Sequence, residues 1–409
     1  MNREEKKETA LVPTESKAVV ATAPPSDYWA RGARHYSRVF RVVLIVLALF
    51  LVLFTIVNHR VFSYDNLFYF FKDLTSLSAY GSARDAAISY SYEDESPAVL
   101  AFGGGVAFVG KSGIEVYAAD GERLLDVEQS FTHPRAVTSR KYVLAFDGGG
   151  KSFTVCNAHA RLYRGETEFP ILAAAVSDSG HFALITSSNE ALSQVLLYDS
   201  NCNLIQRFSR ASATVGVDVS ANGKWIALLG ATEQDGNVAA LLDIYRIGSR
   251  TASGSVRISG ELPLALSFTN SSHMAVLTDT AVRVFDADGD ERHAHMLNGA
   301  VPVAFEASEQ GVVLALETDR LAATHRVLAC DKRGKIVLDT THTGDILALA
   351  RAEEHVYLLG AETLTRIADK DAAVQSLACE KGAVGLLSVD ARCARVTYAA
   401  KAQVYTFDS

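Results

Sequence analysis

Several groups of residues have the types and spacing that chemistry would need. Gly105-Val-Ala-Phe-Val-Gly-Lys-Ser112 satisfies G-x-x-x-x-G-K-S, the pattern of a loop whose backbone amides wrap a phosphate just ahead of a helix N-terminus. The four intervening residues are Val-Ala-Phe-Val, and Gly113-Ile-Glu-Val-Tyr117 follows. Both stretches read as strands, so the amides a phosphate would need are expected to be used in a sheet. Asp286-Ala-Asp-Gly-Asp-Glu291 offers three carboxylates on a tight turn, and hard cations such as Ca²⁺ require several oxygen ligands in that setting. Asp286, Asp288 and Asp290 are therefore the candidate metal ligands. Against them, the segment occupies a turn position where other stretches read AADGER and CDKRGK, and it lacks the distal Glu of an EF-hand loop. A solvated hairpin turn is the preferred reading. His293 and His295 point to one side of a strand and have the spacing to share a metal, but no third ligand is adjacent.

Other signatures are missing. The chain has no HExxH, GxSxG or CxxC, and no paired carboxylates in a recognisable context. No catalytic residue and no cofactor is assigned. Cys156, Cys202, Cys330, Cys379 and Cys393 are too few for a disulfide-built scaffold. Cys379 and Cys393 flank a hairpin-sized segment and are the pair with the spacing to bridge. Asn270-Ser-Ser272 fits the glycosylation sequon, a pattern too common to weigh.

The elements that would position these residues fall into two parts. Among 409 residues, 49% are hydrophobic and 21% charged, enough apolar material for large cores but too much charge for a polytopic membrane protein. From Val42 to Val57 the chain reads VVLIVLALFLVLFTIV, with Thr55 the only polar residue. With its flanks, this zone reaches the roughly 17–25 residues that a spanning helix requires. A buried core helix would be the alternative, but the run has no polar face. A cleaved signal peptide is a closer rival, yet 38 residues precede the zone and no small-x-small cleavage pattern follows it. Residues 39–62 are therefore expected to form a signal-anchor helix. Val42, Leu44, Leu47, Phe50, Leu53, Ile56 and Val57 would lie in the bilayer, and Arg41 and Arg60 at its interfaces. Arg31, Arg34, Arg38 and Arg41 lie before the zone with Asp27 as the nearby acid, whereas Arg60 and Lys72 follow it against Asp65. The positive-inside rule then places residues 1–38, a disordered tail, in the cytoplasm and the C-terminal part outside. Residues 63–81 form an aromatic neck, Tyr64-Asp-Asn-Leu-Phe-Tyr-Phe-Phe-Lys-Asp-Leu74. It suits either the lipid headgroup layer or the surface of the outer domain.

Residues 82–409 hold no amphipathic helix. Short apolar runs alternate with Gly, Asp, Asn and Ser, and they repeat. Val215-Gly-Val-Asp-Val-Ser-Ala-Asn-Gly-Lys-Trp-Ile-Ala-Leu-Leu229 and Ala173-Ala-Ala-Val-Ser-Asp-Ser-Gly-His-Phe-Ala-Leu-Ile185 share one form. A second half-motif recurs at Ile114, Val195, Val282 and Val327, with turns such as Ala118-Ala-Asp-Gly121. Gly or Asn there would supply the positive φ that two-residue hairpins require. First strands start near Ala98, Pro134, Ile171, Ala213, Pro263, Val301, Asp345 and Ala372, with spacings of 36, 37, 42, 50, 38, 44 and 27 residues. The fold class is all-β, a β-propeller of four-stranded blades preceded by one transmembrane helix. The count gives eight blades, but the last gap leaves unit seven a strand short, so seven remains open, and an open sandwich is the other architecture considered. Ile88–Glu93 is expected to pair with the last blade and close the ring.

The basic tail, single span, Tyr64–Leu74 neck and degenerate repeats together resemble a family of uncharacterised bacterial single-pass membrane-anchored β-propeller proteins. The Ser-x-x-Gly turns are loosely similar to those of WD40-like and TolB-like propellers, without the Trp-Asp dipeptide of the former. The resemblance brings no established activity. After Arg60 the chain carries 30 basic and 42 acidic residues, which disfavours nucleic acid and anionic polymers as partners and allows cationic or protein ones. The expected function is an extracytoplasmic protein-binding or envelope scaffold, anchored in the lipid bilayer through residues 39–62 and non-catalytic. A hydrolase or lyase with its site at the propeller channel, or a sensor signalling through the single helix, are the alternatives.

Overall fold

The computed structural model describes residues 39–50, 87–90, 97–388 and 390–407. The chain divides into two units, Met1–His59 and Arg60–Ser409. In the first, residues 39–50 form a helix whose apolar side chains, from Val39 to Phe50, are exposed. Arg41, Val42, Leu44, Leu47 and Phe50 lie on it. Leu53, Ile56 and Val57, the tail 1–38 and the neck 63–81 lie outside the described residues. Among the described residues, no helix is long and apolar enough to cross a membrane.

The second unit is a ring of eight four-stranded antiparallel sheets, which decides against both the sandwich and seven blades. Blades 1 to 7 span residues 98–128, 134–166, 171–210, 213–259, 263–296, 301–343 and 348–378. Blade 8 takes three strands from residues 383–406 and its outermost strand, Ile88–Ser89, from the front of the unit, paired as Ile88↔Ala402 and Ser89↔Lys401. The expected closure therefore holds for the described part of Ile88–Glu93. Six of the eight repeat starts fall on the observed first residues, from Ala98 to Val301. The last two do not. Blade 7 begins at Ala348 and is complete, because Val374–Ala378, read as the opening of unit eight, is its fourth strand. Blade 8 begins at Ala383. The Gly-free Asp369-Lys-Asp-Ala372 turn had hidden that boundary.

The sheets explain the composition. Each blade packs both faces against neighbours, so its middle strands are mostly apolar and buried along most of their length. Phe182–Thr186 and Cys393–Tyr398 are buried at every position. Strands covered on both faces read as continuous apolar runs rather than alternating ones. Outermost strands are more exposed, Glu291–Met296 at five of its six positions. One buried cluster fills each junction between successive blades. The eighth junction, between blades 8 and 1, is filled by Ile88, Tyr90, Val106, Phe108, Tyr117 and Ala402. First strands touch one another all the way round, blade 8 against blade 1 included, and so they line the central channel.

The turns between third and fourth strands differ from the expected two-residue hairpins. The Asp199 carboxylate accepts from the amides of Asn201 and Asn203, that of Asp286 from Asp288 and Asp290, and that of Asp331 from Arg333 and Lys335. The fourth turn residue, Cys202, Gly289 or Gly334, has positive φ, and the register shifts by one where the strand resumes. This is a longer turn ending in a bulge. A two-residue turn does occur between the first two strands of blade 1, where Gly103 and Gly104 both have positive φ.

Replacing Ile88, 1% exposed, by alanine is expected to lower the stability of the full-length protein by about 2–5 kcal/mol. Leu192→Ala, at an exposed turn position, should change it by less than about 0.5 kcal/mol. Urea unfolding followed by circular dichroism measures both, and equal effects would show that the Ile88 strand does not hold the ring.

Candidate functional site at the channel mouth

The turns that follow the first strands gather at one end of the channel, here called the exit end. There the chain encloses a cavity of about 470 Å³, lined by residues from seven blades, among them Gly103, Arg140, Asp178, Asp218, Asn270, Glu309 and Arg395. Arg140, after the first strand of blade 2, donates from its backbone amide and its Nε to Asp178 of blade 3, at 2.7 and 2.5 Å. Its remaining reach is across the ring: a terminal nitrogen stands 3.3 Å from Glu309 Oε2 of blade 6.

Below these exposed groups lies a seam of buried polar links. Asp218, on the first strand of blade 4, accepts from the amides of Phe268 in blade 5 and of Val219, at 2.7 and 2.8 Å. Ser267 Oγ lies 3.3 Å from that carboxylate and 3.0 Å from the Ala307 carbonyl of blade 6. Glu306 of blade 6 accepts from the Arg351 amide of blade 7 at 2.9 Å. Asp218 lies deep in the molecule yet keeps part of its surface on the channel. Burial pushes its carboxyl from the ordinary 3.8 up to about 6, against the pull of the Phe268 and Val219 amides and Ser267. Burial likewise raises Glu306 from 4.5 to about 7, against the Arg351 amide and charge. Taking a carboxylate out of water penalises its charged form.

At the junction of blades 8 and 1, the Arg395 side chain is 1% exposed. It donates to the carbonyls of Ala119 and Gly104, at 3.0 and 3.4 Å, and burial lowers its pKa. Ser179 Oγ lies 2.9 Å from His181 Nδ1 and 2.7 Å from Ser177 Oγ, which has the look of a serine–histidine pair. The same turn position in blade 4 holds Ser220 and Asn222, bonded at 2.9 Å, so the contact belongs to the repeated turn.

The residues singled out from sequence separate cleanly. Asp286 is committed: Arg292 donates to its carboxylate from Nε at 2.9 Å and from a terminal nitrogen, and the Asp288 and Asp290 amides take the other oxygen. Partial burial would raise the Asp286 carboxyl, but Arg292 and the two amides outweigh it and hold it below the usual range. Among the described residues, no group of three or more metal-ligating side chains converges. His293 and His295 do share a side, their rings stacked at 6.0 Å, and His295 Nε2 lies 2.6 Å from the Gly334 carbonyl. Gly105–Val109 and Gly113–Tyr117 are paired strands, as expected of the phosphate-loop match. No disulfide joins Cys379 to Cys393 or any other pair of the five cysteines, so the expected bridge is absent. Asn270 is bonded across to the Lys332 carbonyl of blade 6, at 2.8 Å. The seam of Asp218, Ser267 and Glu306 was not anticipated. Its signal was a polar residue inside otherwise apolar first strands, a weak one because Thr138 and Ala175 stand near the corresponding places.

A family model described as a family of unknown function (DUF5711) matches residues 79–391, from just ahead of the closing strand into blade 8. The chain belongs to this family. No curated protein matches it. Among solved structures, BamB from Moraxella catarrhalis is similar with a TM-score of 0.53 and 11% identity, over 80% of this chain and 99% of that one. The C-terminal WD40 domain of Sif2 gives 0.54 and 12%, over 80% and 100%. The WD40 domain of SCAP from fission yeast gives 0.52 and 9%, over 80% and 99%. At such identities the likeness is one of fold.

Two outcomes follow for this DUF5711 chain. At millimolar Ca²⁺ its melting temperature should not move, whereas a site of about 10 μM affinity would add about 2.7 kcal/mol at a hundredfold excess. A calcium-dependent rise lost in Asp286→Asn would restore the metal site. The second concerns pH. Asp218 and Glu306 hold their protons more tightly folded than unfolded, so their contribution to stability falls as pH rises from about 4 to about 7. The Asp218→Asn, Glu306→Gln variant should show a shallower fall across that window in thermal melts, and an unchanged slope would refute the assignment.

Proposed function

We propose that the protein is a membrane-anchored scaffold whose propeller binds a protein or envelope partner outside the membrane and catalyses no reaction. One observation carries this reading. The strand that closes the ring, Ile88–Ser89, is the first described strand of the unit, so a tether that precedes it in the chain would join the propeller at the sheet that completes the disc. A tether joined there pulls on a strand held by main-chain hydrogen bonds and by the buried Ile88 and Tyr90 side chains. The apolar zone 39–62 supplies the tether, and its flanking arginines favour an N-terminus in the cytoplasm of a bacterial cell. At the exit mouth, the carboxylates Asp178, Asp218 and Glu306 each hold a neighbouring blade. This is the work of a rigid frame rather than of acid and base groups presented to a substrate.

The full-length protein is expected to stay with membranes through alkaline carbonate extraction, and Leu47→Arg with Leu53→Arg to release it. In spheroplasts, added protease should remove a C-terminal epitope and spare an N-terminal one. Recovery of the wild type in the soluble fraction, or the reverse protection, would end the anchored reading. Crosslinking in intact cells should capture one protein reproducibly through propeller loops, and capture of nothing but the chain itself would end the scaffold reading.

A further inference from the structure

The entry end of the channel, where the first strands begin, is built differently from the exit. In five blades the first strand slips register by one residue near its start, and the skipped residues are Leu172, Val215, Leu264, Val303 and Val384. Each is aliphatic, and each is between 42% and 68% exposed. A bulge leaves one residue without a partner in the ladder and re-aims its side chain. An exposed position of that kind gains nothing in the fold from being apolar, and a polar residue would serve equally well. Leu347, just ahead of the first strand of blade 7, is exposed as well, so the apolar residues form a collar through six successive blades, 3 to 8. Blade 1 has no slip, and blade 2 places the charged Arg135 near its start. Contiguous exposed apolar surface with a polar rim marks an interaction site.

The rim says what kind of partner fits. The loops around this end carry exposed acids, among them Glu166, Glu168, Glu190, Asp235, Asp279 and Asp345. They outnumber the exposed bases there: Lys111, Arg135, Lys151 and Arg320 stand at the same end, and Lys381 and Lys401 pair with Glu362 and Glu380. Blade 4 adds a wall. Its middle strands run Trp225–Gln234 and Asn237–Arg246, and the pairs from Thr232↔Ala239 to Gln234↔Asn237 extend past the first strand, with Val238 exposed. We infer that this collar docks a basic amphipathic peptide segment of a partner protein, its apolar side chains set against the bulged aliphatics and its lysines or arginines against the acidic rim. The inference rests on the scaffold reading and names the face and the partner chemistry.

The test uses the full-length protein in nanodiscs of zwitterionic phosphatidylcholine. The probe is a 14-residue Leu/Lys amphipathic peptide carrying one photoreactive leucine, with a Leu/Glu counterpart. The Leu/Lys peptide should crosslink to the collar of blades 3–8 and bind at least about tenfold more tightly than the Leu/Glu one, with added salt weakening it. Leu264→Asp with Val303→Asp, and separately Val384→Asp, should each weaken binding about tenfold or more while leaving the melting temperature unchanged. Equal binding of the two peptides, crosslinks confined to outer strands, or indifference to the substitutions would overturn the proposal. So would a concentration-dependent dimer abolished by Val303→Asp, since the collar would then be covered by a second copy. A partner captured in cells through another face, together with a failed peptide assay, removes this inference and leaves the scaffold; loss of membrane attachment removes the anchor and leaves the collar result intact.

Discussion

No blade of this disc buries its own faces. Each four-stranded sheet is apolar on both sides through its middle strands, and its core exists only as the junction with a neighbour on either hand. A row of such sheets would end in two open apolar faces, so the ring must close, and the junction of blades 8 and 1 bears that constraint. The chain meets it with a strand borrowed from the front of the unit and with Tyr90, whose hydroxyl donates to the Lys401 carbonyl at 2.9 Å. Arg395 is buried in the same junction, facing carbonyls of blade 1 and no carboxylate among the described residues. Removing a guanidinium from water is costly unless its donors are satisfied. Here carbonyl acceptors from two different turns take its two terminal nitrogens, while Nε is buried without a partner among the described residues, so the closing contact is specific as well as apolar.

The other buried charges are used in a similar way. Arg351 is paired with Asp369 and donates to the Gln310 carbonyl of the preceding blade. Arg210 is paired with Asp243 across blades 3 and 4. Apolar junctions alone are non-directional, and neighbouring sheets could slide along one another at little loss. A buried donor that must find a given carbonyl fixes the offset between blades, because a misplaced one would be left unpaired in a low-dielectric interior. The Asp218–Ser267–Glu306 seam performs this for blades 4 to 7, beside the channel, where the shape of the opening depends on it.

Much of this was legible in the sequence, for a physical reason. A strand covered on both faces is apolar along most of its length, so runs such as Phe182–Thr186 stand out, and the turns between them need residues that tolerate positive φ. That pairing of signals located six first strands to the residue. It failed at blade 7, whose last turn has Ala372 rather than Gly at positive φ, so the punctuation disappeared while the strand remained. The bulged aliphatics were invisible for a related cause. A Leu in an apolar run looks like core, and only the register shift shows that Leu172 and Leu264 have been turned out of it. The channel carboxylates were missed because their partners are main-chain amides some fifty residues away, as with Asp218 and Phe268, and such partners leave no trace in residue types.

The two ends of the channel therefore differ in what they leave unsatisfied. At the exit, polar side chains from several blades already meet one another, and Arg140 reaches two acids on different blades. A ligand arriving there would have to replace contacts that hold the disc together. At the entry, aliphatic residues face water at or just ahead of the first-strand starts of six blades, and the fold loses nothing if they are covered. Water released from that surface is a gain that folding has not taken. The first strands supply both ends, one by the turns that follow them and the other by the slips that precede them. A partner seated on the entry collar would thus touch the same strands whose far ends carry the seam, and it would bind against a frame already made rigid by it.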